Sequence, residues 1–268
     1  MNAPVAVFDS GVGGLTVVRA LRRELPGEAV FYLGDTARVP YGGKSQQTIE
    51  RYSEEIARLL VAEGAKIVVV ACNTASALAL PHLRRILPVP VEGVIEPGVQ
   101  AALAATRTGH IAVIGTKATV GSGAYESGLR ASRAGIRVTS IACPLLVPLI
   151  EEGMFDDELT DAVLRRYLSA LRETDADTLV LGCTHYPLLA AAIGSALGPR
   201  FTLVDSAANC AGAVARRLAA EGLLAGGGKG SLQLAFTDPP DRFLGVAGHA
   251  LGLSTAPAAL RAVPPLGG

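Results

Sequence analysis

The 268-residue sequence has no excess of either charge: 24 Lys and Arg stand against 24 Asp and Glu, so neither a basic nucleic-acid footprint nor an acidic or membrane-surface bias is present. A small molecule is the expected partner, with no nucleic acid and no membrane. Long apolar runs are also missing, since a charge or a Pro/Gly break interrupts every stretch short of the roughly 18 residues that span a bilayer. The N-terminal MNAPVAVFDSG carries no basic segment leading into an apolar core, so a secretory signal is not expected and the reading is a cytoplasmic protein. Cysteine is scarce: Cys72, Cys143, Cys183 and Cys210 form no CxxC pair and are too dispersed for a disulfide framework. The four histidines, His82, His110, His185 and His249, show neither HExxH nor a short paired spacing, which argues against a metal site. No metal is expected.

Half of the residues are hydrophobic, enough for one large domain or two small ones. Short β-branched runs alternate with longer amphipathic stretches, the pattern of an α/β fold on buried, mainly parallel strands. Strands are predicted at Val5–Phe8, Ala29–Leu33, Ile67–Ala71, Val91–Val94, Ile111–Ile114, Val138–Ala142, Thr178–Leu181 and Phe201–Val204. Helical periodicity covers Leu15–Leu25, Ser45–Glu63, Asp156–Glu173 and Ala207–Glu221, several of them behind a Ser, Thr or Asp able to cap them. The Gly-rich segment Gly226–Gly230 reads as a surface loop, and residues beyond Ala256 read as poorly structured.

Three pairs of segments match in order. VAVFDSG from Val5 resembles IAVIGTK from Ile111, the segment ending at Cys72-Asn73-Thr74 resembles that ending at Cys183-Thr184-His185, and Val39-Pro40 has a counterpart in Val147-Pro148. The offsets are 106, 111 and 108 residues. This predicts two similar α/β domains, each with a mainly parallel sheet flanked by helices and with the active site in the cleft between them. The expected division is residues 1–96 with 207–268, and residues 97–206. The crossings are placed at Glu96-Pro97-Gly98, read as a turn, and near Ser206.

Ligands of parallel α/β sheets gather at the carboxyl ends of the strands. There the sequence sets Asp9-Ser10-Gly11, Asp35 to Tyr41, Cys72-Asn73-Thr74, Gly115-Thr116, Cys143-Pro144 and Cys183-Thr184-His185. The turn DSGVGG lacks both the dinucleotide spacing GxGxxG and the Lys-Ser/Thr of a P-loop. Its glycines permit close approach to an anion, while Asp9 suits an ammonium group or the tuning of a thiol. Cys72 and Cys183 each follow a buried strand at the expected start of a helix, a place that favours thiolate. Asp9 and His185 are their nearest acid-base neighbours. A lone strand-end cysteine is commonly a small buried hydrophobe, and Cys143 and Cys210 are read so. Two thiols facing one cleft from opposite halves suit a two-base proton transfer, in which one removes a Cα proton and the other returns one on the opposite face.

At this point five motifs carry a family resemblance. FDSGVGGL (Phe8–Leu15), ACNTAS (Ala71–Ser76), VIEPG (Val94–Gly98), CPLLVPLIEEG (Cys143–Gly153) and GCTHYP (Gly182–Pro187) resemble those of glutamate racemases within the aspartate/glutamate racemase family, collinearly to about Ala220. The resemblance implies a cofactor-independent isomerase that interconverts L- and D-glutamate and supplies D-glutamate for peptidoglycan, and so for cell-wall biogenesis and cell shape. It implies that Cys72 acts on D-glutamate and Cys183 on L-glutamate, with Asp9, Glu151 and His185 assisting. Asp9, Ser10, Tyr41, Gly42, Asn73, Thr74, Thr116, Thr119, Thr184 and His185 would hold the substrate, and a homodimer is implied. His185 favours glutamate over aspartate, and both thiols are kept where arylmalonate decarboxylase relatives keep one. Only four residues precede the first strand, so regulation through an N-terminal extension is not expected. On the residues alone, Thr119 could simply cap a helix and Glu151 could be a solvated helix-end acid. Rival readings are a racemase or isomerase of aspartate or hydantoins and a two-lobed small-molecule binding protein.

Overall fold

The computed structural model describes residues 3–238 and 258–260. In chain order the strands are β1 (Val5–Asp9), β2 (Val30–Gly34), β3 (Ile67–Val70), β4 (Val91–Gly93), β5 (His110–Gly115), β6 (Arg137–Ala142), β7 (Thr178–Gly182), β8 (Thr202–Asp205), β9 (Leu232–Phe236) and β10 (Ala258–Leu260). The helices are α1 (Leu15–Glu24), α2 (Gln46–Ala62), α3 (Asn73–Leu78), α4 (Leu80–Ile86), α5 (Ile95–Ala105), α6 (Lys117–Gly121), α7 (Ala124–Ser132), α8 (Leu146–Glu151), α9 (Glu158–Arg172), α10 (Ala190–Leu197) and α11 (Ser206–Ala220). Two sheets result, ordered β10-β9-β2-β1-β3-β4 and β6-β5-β7-β8, and every strand pair is parallel.

The β-branched runs form the strands because helices cover both faces of each sheet. β1, β3, β5 and β7 are buried at every residue, which is why they read as continuous apolar segments. Polar helix starts are satisfied locally. Ser45, Thr116, Asp157 and Asp205 each accept a backbone N–H of the first turn of α2, α6, α9 and α11.

The duplication extends to register. β1 pairs Val5 with Val30 on β2 and with Ile67 on β3, while β5 pairs Ile111 with Val138 on β6 and with Thr178 on β7. These partners sit 106, 108 and 111 residues apart, the offsets seen in the motifs. The outer pair Val68–Val91 likewise matches Leu179–Leu203. The four-strand unit β2-β1-β3-β4 is therefore repeated, strand for strand, as β6-β5-β7-β8.

Three expectations are corrected. Glu96-Pro97-Gly98 is not a turn but lies within the first turn of α5, where Pro97 is tolerated because its missing N–H would have no intrahelical partner. β9 was not foreseen, and it continues the first sheet beyond Gly226–Gly230, which is free of regular structure. β10 falls beyond Ala256, where no structure was expected. Ala-Ala-Leu has little strand propensity of its own and is held by pairing to β9. Other expectations about the tail fall on residues 239–257 and 261–268, outside the described residues. No helix among the described residues is long and apolar enough to cross a membrane.

One buried carboxylate clamps the turn between α5 and β5. Asp177 accepts from the Thr106 hydroxyl at 2.7 Å and from the backbone N–H groups of Arg107 and Thr108 at 2.7 and 2.9 Å. Burial opposes its ionisation, but these donors outweigh it and hold the carboxyl down at about 2. A depressed folded pKa contributes stability that is present above the unfolded value of about 4 and is lost as pH falls toward 2. Asp177→Ala is expected to cost about 2 kcal/mol in urea unfolding at pH 7. The difference from the parent should shrink as the pH is lowered through that window; a pH-independent difference would contradict the assignment.

Candidate active site

The paired central strands bring their carboxyl ends to one cavity of about 360 Å³, whose wall includes Ser10, Tyr41, Gly42, Cys72, Asn73, Thr74, Thr116, Glu151, Cys183 and His185. Val39-Pro40 and Val147-Pro148, the dipeptides matched in sequence, both line it. Two larger depressions of about 580 Å³ hold neither a thiol nor an imidazole. Asp9, Thr119 and Thr184 do not reach the wall and sit behind it. Thr119 hydrogen-bonds to Thr74 and Thr116 at 3.1 and 3.0 Å, and Thr184 donates to Asp9 at 3.3 Å. The helix cap at this point is Thr116, not Thr119.

Cys72 is the residue immediately before α3, and its thiol lies 3.7 Å from the Ser10 hydroxyl. The expectation that a helix start would favour its thiolate does not hold. Burial comes first and the Asp9 carboxylate second, and together they outweigh the Ala75 N–H and the Ser10 hydroxyl, pushing Cys72 up to about 12. Cys72 rests as a neutral thiol. Asp9 is itself raised by burial, against the charge of His185, the N–H groups of Gly11 and Gly14 and the Thr184 hydroxyl.

Cys183 sits in a different field. Its sulfur is 3.9 Å from His185 Nδ1, and His185 Nε2 approaches Glu151 Oε1 to 3.2 Å without the alignment of a hydrogen bond. Burial pulls the imidazole down, yet Cys183, Glu151 and Asp9 lift it to about 10, so a charged imidazolium stands beside this thiol at neutral pH. Glu151 ends α8 with its side chain 18 % exposed, engaged with His185 and not simply solvated. Cys143 and Cys210 are fully buried in separate apolar cores, as read from the sequence.

Gly43 and Lys117 also line the cavity and were not anticipated. Lys117 directly follows Thr116 in the repeat IAVIGTK, and that adjacency is the signal that could have found it. A network behind Tyr41 was missed as well. The buried Asp35 accepts from the Tyr41 hydroxyl at 2.5 Å and from Arg38 Nε at 2.7 Å, fixing the wall around Val39–Gly43. Among the described residues no cluster of three or more His, Cys, Asp or Glu could hold a metal ion.

Two thiols at equivalent positions, one neutral and one beside a cation, form an arrangement able to give and take a proton across a small ligand. A family model described as Asp/Glu/Hydantoin racemase matches residues 14–214. The chain belongs to the Asp/Glu/hydantoin racemase family. Within this racemase family it is 49 % identical to the glutamate racemase of Geobacter metallireducens over 249 residues, 92 % of each chain. The glutamate racemase structure from Bacillus anthracis superposes with a TM-score of 0.92 at 37 % identity, covering 98 % of this chain and 97 % of that one. A Francisella tularensis glutamate racemase solved in complex with D-glutamate gives 0.90 at 34 % identity, with 98 % of both chains covered.

Proposed function

We propose that this protein is a glutamate racemase, an isomerase that interconverts L- and D-glutamate by two-base proton transfer between Cys72 and Cys183 without a cofactor. The observation that carries the reading is the pair of thiols lining one cavity from equivalent positions of a register-preserving repeat, in a chain whose relatives are glutamate racemases. The product D-glutamate feeds peptidoglycan synthesis. A homodimer and a cytoplasmic location belong to the same proposal. So does the division into two lobes, residues 1–96 with 207–268 and residues 97–206. It is supported by α5 packing into a core of the second sheet and α11 into a core of the first.

In the L-to-D direction Cys183, beside the charged His185, removes the Cα proton, and the neutral Cys72 delivers a proton to the opposite face. D-to-L runs the reverse. With Cys72 at about 12, its thiolate costs about 6 kcal/mol near pH 7.5 before substrate binds. A substrate ammonium seated by Ser10 in front of Asp9 offsets part of that by countering the field of the Asp9 carboxylate. Developing negative charge on the substrate α-carboxylate is met by Asn73 and Thr74, whose donors act best in a buried site, while Thr184 behind the wall holds Asp9. Tyr41, Gly42 and Thr116 hold the distal carboxylate, with Thr119 bracing Thr74 and Thr116 from behind. Lys117 at the rim adds a positive charge toward the anion.

The deciding experiment is incubation of each enantiomer in deuterated water. Cα deuterium should enter the inverted enantiomer first, and no exchange with either isomer would sink the proposal. His185→Asn should lower kcat/KM about 10²-fold. The factor must be the same in both directions because the enantiomers are isoenergetic in water. The asymmetry belongs to kcat, which should fall further for L-to-D; equal losses in kcat would show that His185 does not serve Cys183 preferentially.

A further inference from the structure

Asn73 presents an unusual bond pattern. It is 2 % exposed and lines the cavity, and its Nδ2 group is buried with no hydrogen-bond partner. Its Oδ1 accepts at 2.7 Å from the hydroxyl of Tyr125. A buried amide left half-satisfied costs free energy unless a ligand completes it. The unpartnered N–H₂ beside the thiol loop is therefore a donor held in reserve for substrate.

Tyr125 is nearly fully buried on α7, packed with the second sheet's core, whereas Asn73 opens α3 beside the first sheet. Its ring is pressed against two glycines. A Cβ built on Gly98 would stand 3.1 Å from Tyr125 Cε1, and one built on Gly182 would stand 3.2 Å from Cε2. Gly182 directly precedes Cys183, and Asn73 directly follows Cys72. Ser206, at the start of α11, lies beside the same ring next to Gly98. One side chain thus touches the backbone behind one thiol and the amide ahead of the other.

We propose that Tyr125 is a positioning residue for the racemisation: its hydroxyl fixes the Asn73 amide with the nitrogen toward the cavity, and its ring ties the two thiol-bearing loops together. Were the amide reversed, an oxygen would face the substrate carboxylate and repel it. The phenol gives its one proton to Oδ1, and the bond so formed leaves Nδ2 free as the donor toward the cavity. The bond also crosses between the two sheets, so completing the donor set depends on how the halves sit together. This inference rests on the racemase reading.

Tyr125→Phe keeps the ring and removes only the hydroxyl. Loss of a donor to a developing oxyanion typically costs 10²–10³ in rate. Loosening that donor without removing it should lower kcat about 10-fold while KM changes less than about twofold. The decisive measurement is a double-mutant cycle with Asn73→Ala, using variants whose circular dichroism and melting show them folded. In the Asn73→Ala background, adding Tyr125→Phe should change kcat less than about twofold, because the residue it positions is gone. An unchanged kcat for Tyr125→Phe, or a full additional 10-fold loss in the Asn73→Ala background, would overturn the proposal. An inactive parent protein would instead overturn the racemase reading itself.

Discussion

Replacing either Cys72 or Cys183 by alanine should reduce racemisation at least about 10³-fold, equally in kcat/KM for both directions, with unfolding midpoints little changed. General acid-base groups contribute about 10²–10⁴ each. Here the loss lies at the upper end because the cavity lining holds no third thiol to stand in for either. Both side chains are small and about 5 % exposed, so their removal opens little core volume. The two variants should differ in serine rescue. A hydroxyl in the Cys183 position would need an even stronger base than a thiol does, and the imidazolium beside it is an acid. A hydroxyl in the Cys72 position has only to give a proton in the L-to-D direction. Cys72→Ser should therefore retain more L-to-D kcat than Cys183→Ser. The reverse order, read from circular dichroism of glutamate solutions over time, would contradict a resting Cys72 that is neutral.

A smaller but still large loss is expected from Gly13→Ala, a residue outside the cavity lining. A methyl at Gly13 would collide with Thr184 Oγ1 and stand 2.5 Å from His185 Nδ1. Gly13 belongs to the first half and His185 to the second, so the added carbon wedges the glycine turn against the acid-base pair of Cys183. Overpacking of this kind costs about 1–3 kcal/mol, and the site offers little room to yield because Gly14 is pressed against the Asp9 side chain. Activity should drop on the order of 10²-fold, since displacements near 1 Å at a catalytic group carry penalties of that size. Gly121→Ala is the control: a methyl there meets nothing within 4 Å, and activity and stability should stay near the parent's. Full activity in Gly13→Ala would show that the turn and His185 can move independently.

The sheet cores were legible because buried parallel strands leave a plain mark, runs such as Ile67–Val70 and Ile111–Ile114 that no amphipathic helix would carry. The cavity was legible for a related reason: small, polar and cysteine residues at the ends of those runs have no packing role that explains them all. β9 and β10 left no such mark: β9 is a short run broken by Gln233, and β10, at the edge, gains its stability from its neighbour more than from its own residues. The sign of the Cys72 shift was also beyond the sequence. A helix start and a buried carboxylate act in opposite directions, and only burial, a property of the whole fold, decides between them. Tyr125 lies in no strand-end motif, so nothing in its local sequence links it to Asn73, 52 residues away.

The register-preserving repeat has a consequence for how the two ends of the site can differ. Applying its offsets sets Gly115 opposite Asp9 and His185 opposite Thr74, so the acid of one thiol and the imidazole of the other have no twin. Two identical chains meeting across a dyad could not achieve this, since each substitution would appear twice and both thiols would answer to the same neighbours. Joined in one polypeptide, the copies are free to drift apart while keeping the mirrored approach to both faces of a carbon. Handedness in the substrate is matched by symmetry in the backbone, and the bias between the two proton carriers is written only in side chains.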